Sequence, residues 1–495
     1  MRNKRILVIG AGMGGLSAAL KLAINGFDVT VVERGHRPGG KLREQHVGEQ
    51  SFYTGPTVLT MPWVFEEIFA EAGASLTERV TLHKADILAR HAWSLDERLD
   101  LFADQERSAE AIAVFAGPAE ADGYRRFTQH AKRVFNALEG PFIRSTQPTP
   151  LSIFGRFGWS GIGELTRIKA VFTLWQALGG YFKDQRLRQL FGRYSTYVGA
   201  SPYLAPATLM LVADVESRGV YAVDGGIHRL PEALAALAEE KGVTLRYGEQ
   251  VSEILVEGGR AAGIRLETGE RLSADAVIYN ADASAIGEGL FGDGVKKAVP
   301  RIPPAKRSHS VVTWNLLAKP AGFPMQYHNV FFPPDYAPEF KAIFDELRLP
   351  LDPTVYICAQ DRGNPNAPAP VDPERLLVMV NAPARGDTQT ITEQEIRRCE
   401  ARVMSLLAHC GLTLEQSQEI AVTTPAYFEK AYPASGGAVF GRVTHGLFGS
   451  FDRPGNTSKI PGLYLAGGSV HPGPGIPMAA ISGRIAATTL LSQFG

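Results

Sequence analysis

Apolar positions recur along the chain with two periods. Ile6-Leu7-Val8-Ile9 is a fully apolar run rich in β-branched residues, as a buried strand requires. Leu16, Ala19, Leu20 and Ala23 then fall at i, i+3, i+4 and i+7, which is one face of a helix. Val29-Thr30-Val31-Val32 is a second β-branched run. Val64, Ile68, Phe69 and Ala72 predict a helix over 62–72, followed by strands near 80–82, 87–92 and 99–102 and one charged helix over 106–137. Val171, Leu174, Trp175, Leu178 and Phe182 keep helical spacing. Strands are expected at 220–223, 244–247, 249–256, 262–267 and 273–279, around a helix over 230–241 and a Gly258-Gly259 hairpin turn. Further strands at 310–317, 354–359 and 376–380, a helix over 393–407, and a strand–helix pair at 462–468 and 479–491 complete the pattern. Segments 333–338 and 364–370 read as loops, and no internal repeat or low-complexity tract is visible. Strands alternating with helices make this an α/β chain.

The candidate chemistry sits where strands pass into helices. Gly10-Ala11-Gly12-Met13-Gly14-Gly15 joins the first strand to the first helix, and Glu33 closes the second strand 18 residues past Gly15. Gly10 allows a tight turn, Gly12 removes a Cβ that would block a phosphate, and Gly15 lets helix and strand pack closely. A pyrophosphate then meets free N–H groups at the positive end of the helix, and Glu33 accepts hydrogen bonds from an adenosine ribose. The bland alternative, a glycine-rich turn in an ordinary α/β unit, leaves the acid unexplained. Arg34 belongs to the same candidate site. In Arg37-Pro38-Gly39-Gly40-Lys41 the paired glycine lets the chain turn back under the pyrophosphate; a plain turn is the competing reading. Gly55-Pro56-Thr57 fixes a backbone turn able to aim N–H groups at a flat ring, although alone it reads as a surface turn. A chain passing the adenine at Val251 would bond it through backbone groups. Gly467 and Gly468 end the last strand, and Gly475, Ile476 and Met478 lead into the last helix, whose N-terminus would stabilise negative charge developing on the pyrimidine edge of a reduced flavin.

Composition narrows the partners. The chain has 495 residues, 45% hydrophobic and 21% charged, enough for two or three domains. Lys plus Arg and Asp plus Glu both number 51, so no global field favours nucleic acid. Cys358, Cys399 and Cys410 lack C-x-x-C spacing, which argues against a disulfide scaffold or zinc site and fits a reducing cytoplasm. No metal site is expected. Arg2, Lys4 and Arg5 precede an apolar run, but the glycine turn inside that run argues against a signal peptide. No run of 18 apolar residues predicts a spanning helix.

Residues 141–219 mix Phe142, Phe154, Phe157 and Trp159 with Arg144, Arg156, Arg167 and Lys169. Such a mixture serves an interfacial segment dipping into lipid or the wall of an apolar tunnel; an ordinary core helix with charged edges is the competing reading. Arg186, Arg188 and Arg193 with Tyr194 and Tyr197 read as a solvated helix face.

The first 60 and last 35 residues together resemble the phytoene-desaturase-type carotenoid dehydrogenases, within the amine-oxidase-like flavoproteins. Residues 187–199, Gly225-Gly226-Ile227-His228-Arg229-Leu230 and Ser435-Gly436-Gly437-Ala438 are similar to the 1-hydroxycarotenoid 3,4-desaturases, also called methoxyneurosporene dehydrogenases. Two positions depart from relatives: Tyr53 stands where an aspartate is common, and Gly468 where many amine oxidases have an acid. The resemblance implies a Rossmann-like FAD-binding domain of the amine-oxidase-like type (1–75, 220–290 and 456–495), an inserted α+β substrate domain (76–140 and 291–455) and a helical, membrane-associated subdomain (141–219). It implies FAD as cofactor and removal of two hydrogens from an acyclic, 1-hydroxylated carotenoid at the 3,4 position, with hydride passing to the flavin. It further implies oxygen or a quinone as electron acceptor, and a cytoplasmic protein held peripherally on the cytoplasmic membrane. No residue pattern announces a catalytic base; His228 and His471 lie nearest the glycine turns, where capping or packing explains them better than catalysis does. Phytoene or neurosporene desaturation, another amine-oxidase-like reaction, and a non-catalytic prenyl-lipid chaperone stay open as alternatives.

Overall fold

The computed structural model describes residues 4–146, 148–149 and 172–494. A five-stranded parallel sheet is assembled from three distant parts of the chain, in the order Leu463–Leu465, Ala276–Tyr279, Arg5–Ile9, Asp28–Glu33, Thr244–Tyr247. The central strand is apolar on both faces because helices and loops cover both, as a parallel sheet demands. The first helix, Met13–Ala23, packs against the last, Ile476–Phe494, through bare backbone. A Cβ on Gly483 would overlap the Gly14 carbonyl, and one on Gly15 would overlap the carbonyl of Gly10.

The second sheet has seven strands, in the order Thr413–Thr423, Ser310–Ala321, Glu374–Ala382, Val355–Ala359, His328–Phe331, Ile87–Ala92, Arg98–Phe102. Its side chains alternate between two faces. Val312, Trp314, Leu316, Val378 and Val380 pack with Cys399, Val403 and Leu407 of the helix Glu393–His409. Val311, Thr313, Met379 and Asn381 take the opposite face, where the register pairs Val311 with Asn381 and Thr313 with Met379. Across a cavity, helices Pro118–Leu138 and Leu211–Ser217 face that side of the sheet.

Several elements differ from expectation. The charged helix over 106–137 is two helices, because Gly117 takes φ +98° and Pro118 has no N–H to continue the ladder. The helix read through 171–182 is only Leu174–Leu178: a Thr173–Gln176 capping box starts it and Gly179-Gly180 ends it. Residues 150–171, with Phe154, Arg156, Phe157, Trp159, Arg167, Lys169 and Val171, lie outside the described residues. The strands around Gly258-Gly259 do not continue the parallel sheet. Val251–Glu257, Arg260–Leu266 and Arg271–Ser273 form their own antiparallel sheet, and only Ala276–Tyr279 joins the parallel one. Tyr221–Val223 pairs with Leu82–Lys84 instead. Helix Ala337–Phe344 begins inside a segment expected as loop, with Pro338 in its first turn, where a missing N–H costs nothing. All three cysteines are free and buried.

Gly483→Ala is expected to destabilise the fold by about 2 kcal/mol or more, since backbone on the facing helix must retreat. Thermal unfolding measures this; a melting temperature equal to wild type would contradict the contact.

Candidate functional site

The two ends of the chain meet at one cavity of about 740 Å³, lined by the turns after three parallel strands and by the inner face of the second sheet. Gly10 leaves the first strand at φ +98°, a conformation that favours glycine. Gly12 is the N-cap of the first helix and supplies no side-chain cap, so that helix end opens into the cavity with its N–H groups free for an anion. Gly39 N–H donates to Ala11 O at 2.9 Å, which brings the paired glycine against the first turn. A Cβ on Gly40 would sit 3.4 Å from Gly12 Cα. Glu33 stands at the side of this turn, accepting Ala11 N–H on Oε2 at 2.7 Å and Gly35 N–H on Oε1 at 2.8 Å. Its carboxylate is thereby held rigid, with lone pairs left over for a ribose.

Of the residues singled out from sequence, Gly12, Gly14, Gly39, Gly40, Lys41, Gly55, Pro56, Thr57, Gly467, Gly468, Gly475, Ile476 and Met478 all line this cavity. Gly10, Ala11, Gly15, Glu33, Arg34 and Val251 do not. Arg34 instead hydrogen-bonds the Ala431 carbonyl. The Val251 carbonyl accepts from Gln250 Nε2, in a segment that Glu249 N–H ties to Glu33 O at 3.0 Å. The last helix begins at Ile476, three residues before its expected start, so Ile476 and Met478 are its first turn. Tyr53 faces away: its ring packs on Gly226 and lies 5.2 Å from the His228 ring. Neither His228 nor His471 reaches the cavity wall.

Sequence reading passed over Asn280. It follows the strand Ala276–Tyr279, donates from Nδ2 to Gly10 O at 3.0 Å, and fills the space that Cβ atoms on Gly14 and Gly467 would need. Its signal was a polar residue ending a fully buried strand. Lys41 donates to Val439 O at 2.6 Å over the Tyr432 ring, and burial pulls its pKa down. Burial likewise draws Arg453 down to about 10, with Asp282 opposing the shift.

Beyond this floor the cavity is walled by apolar side chains, among them Leu138, Phe142, Ile143, Val212 and Val215. Polar side chains interrupt them, and two hydrogen-bonded sets stand out. Tyr356 Oη lies 2.6 Å from Thr57 Oγ1 and 2.7 Å from His328 Nδ1. Arg193 Nη1 donates to Tyr197 Oη at 3.0 Å, and Tyr197 Oη donates to Glu216 Oε1 at 2.6 Å. Arg193, Tyr194 and Tyr197 therefore do not form the solvated face that their spacing suggested. The helix tightens to a 3₁₀ turn at Arg193–Val198, which swings them inward. Arg186 keeps the expected place outside, paired with Glu97 and Asp184.

The arrangement fits a dinucleotide carrying a flat ring. An uncapped helix N-terminus and a glycine floor suit a pyrophosphate, and a second helix start at Gly475 faces the same space. The apolar extension suits a long hydrocarbon beside the ring. Among the described residues no cluster suited to a metal ion occurs.

The sequence profile of the flavin-containing amine oxidoreductases matches residues 13–491. A hydroxyneurosporene desaturase of Rubrivivax gelatinosus is 51% identical over all of this chain and 94% of its own. Another, from Cereibacter sphaeroides, is 41% identical over 99% of this chain and 98% of its own. Cyclohexylamine oxidase of Brevibacterium oxydans shares the fold, with a TM-score of 0.57 at 13% identity over 99% of both chains.

Burial holds His91 and His328 at about 3 and His309 and His471 at about 4. In the unfolded chain these rings take up protons near pH 6.5, so between about 6.5 and 4 the unfolded state binds more protons than the folded one. Stability must therefore fall as pH falls through that window, by up to about 1.4 kcal/mol per pH unit for each ring. Denaturant midpoints measured from pH 7.5 to 5 are expected to drop; a flat profile would contradict this.

Proposed function

The chain belongs to the flavin-containing amine oxidoreductase family, and we propose that it is an FAD-dependent desaturase that introduces a C–C double bond at the 3,4 position of an acyclic, 1-hydroxylated carotenoid. The observation that carries this reading is the single cavity running from the glycine floor into an apolar channel. The names of the full-length relatives support the same substrate class.

FAD supplies the two-electron acceptor. The residues of this chain do the rest. Gly12 and Gly40 leave room for the pyrophosphate against the first helix N-terminus. Gly475, Ile476 and Met478 direct the start of the last helix at the ring, where N–H groups favour negative charge. Leu138, Phe142, Ile143, Val212 and Val215 hold the polyene, exclude water and orient it; orientation supplies much of the rate.

A channel for so apolar a substrate needs a lipid source. Leu447 and Phe448 line the cavity yet are 46% and 51% exposed, and the exposed Leu204 accepts Gly446 N–H beside them. This apolar rim supports peripheral attachment to the cytoplasmic membrane. Oxygen or a membrane quinone is the electron acceptor in this reading.

Purified protein with FAD and carotenoid-loaded liposomes tests the proposal. Under anaerobic conditions a 1-hydroxylated acyclic carotenoid is expected to bleach the yellow flavin band and gain one double bond. Turnover of phytoene alone would place the enzyme earlier in carotenoid desaturation. Failure to bind FAD would favour a non-catalytic prenyl-lipid chaperone.

A further inference from the structure

We propose that Arg193, Tyr197 and Glu216 form a subsite that receives the terminal hydroxyl of the substrate and so selects hydroxylated polyenes over their hydrocarbon parents. The inference rests on the desaturase reading and specifies which residues give it selectivity.

Three observations carry it. The first is cost. The trio lies among Val198, Leu209, Val212 and Val215 on the cavity wall, and Glu216 is only 7% exposed. A hydrocarbon filling this space would leave the spare Arg193 N–H groups without a partner beside a buried carboxyl, at about 1–3 kcal/mol for each group left unmet and more for a charged one. A wall made for hydrocarbon alone would be apolar here too.

The second is complementarity. Arg193 donates one N–H to Tyr197, and among the described residues its guanidinium has no ion-pair partner. The guanidinium therefore keeps donors for a ligand oxygen. Glu216 accepts from Tyr197 on Oε1 and is also hydrogen-bonded by Tyr194, and burial raises its pKa toward the neutral acid. A hydroxyl both accepts and donates, so it bridges an Arg193 N–H and the Glu216 carboxyl. An ammonium group, which only donates, would leave the Arg193 N–H groups unmet.

The third is position. In a 1-hydroxylated chain the oxygen lies only a few bonds from C3 and C4, roughly 4–5 Å by ordinary bond lengths. The hydroxyl receptor of a 3,4-desaturase must therefore sit near the flavin ring and not at the far end of the channel. Arg193 Cζ is 5.5 Å from the centre of the Tyr356 ring, and Tyr356 Oη is 2.6 Å from Thr57 Oγ1. Thr57 belongs to the Gly55-Pro56-Thr57 turn on the cavity wall, whose N–H groups the desaturase reading aims at the ring. The trio is thus one side chain away from the reacting region.

The test uses full-length, FAD-loaded protein and two substrates that differ only in the hydroxyl: a 1-hydroxylated acyclic carotenoid and its hydrocarbon parent. Two quantities are measured for wild type, Glu216→Gln, Tyr197→Phe and Arg193→Met. One is kcat/KM for each carotenoid in liposomes. The other is carotenoid retained by the protein after gel filtration, read from its absorbance. Wild type is expected to favour the hydroxylated carotenoid by about 100-fold or more in kcat/KM, as sites built around a substrate hydroxyl do. In the variants that ratio is expected to fall at least tenfold, and preferential retention to be lost. Equal losses on both substrates would assign the trio a structural role and overturn the proposal, as would variants that keep the wild-type ratio. If wild type oxidises neither carotenoid, the desaturase reading fails, and retention still decides: preference for the hydroxylated chain in wild type alone supports the subsite, and equal retention overturns it.

Discussion

The backbone of the first helix touches the backbone of the last. Gly14 and Gly483 make that contact, and no side chain fits at the Gly483 position without displacing the Gly14 carbonyl. Because of it, residues about 470 positions apart in the chain share one wall. Asn280 locks the junction from a third segment by bonding Gly10 O and filling the hollow left by the glycines. The free N–H groups above Gly12 and those at the start of the last helix then face a common space. Bringing two helix N-termini together is unfavourable unless an anion or electron-rich ring lies between them. That constraint makes the site a cofactor cradle, and the glycines are the means of building it.

The rest of the molecule supplies the second half of the cavity. One face of the seven-stranded sheet is core; the other, displaced by a single residue along each strand, is substrate wall. Period-two alternation thus lets one sheet carry both stability and specificity. Helices from 118–138 and 185–217 close the opposite side with apolar side chains. Within that wall two sets of polar groups are hydrogen-bonded among themselves: Thr57 to Tyr356, which reaches His328 behind it, and Arg193 to Tyr197 to Glu216. Water-excluded polar groups in such a wall are selective because leaving them unmatched is costly.

How much of this was legible depended on whether the signal was local. The Gly10–Gly15 turn, Glu33, Gly39-Gly40 and the Gly475 helix start are local, since backbone approach to a ligand demands glycine at set spacing, and all fall around one site. The parallel strands at 5–9 and 28–33 were equally plain from their β-branched runs. What depended on tertiary context was hidden. Asn280 looked like any polar residue after a strand, because its partners are carbonyls 270 positions away. Arg193 and Tyr197 read as surface, because a helical wheel assumes 3.6 residues per turn and the chain tightens at Arg193. The short strand His328–Phe331 and the strand Thr413–Thr423 carried too little pattern to be seen, and Gly117-Pro118 broke a helix that the charge pattern alone made continuous.

The central claim is that both chain ends hold a single FAD with its ring at the mouth of an apolar channel. A crystal structure of the FAD complex tests it most directly. The account predicts the pyrophosphate over Gly12 and Gly40, the adenosine ribose within hydrogen-bond reach of Glu33, and the ring between Thr57 and Gly475, open toward Tyr356 and Arg193. Flavin bound elsewhere, or a ring sealed from the channel by protein, would contradict it.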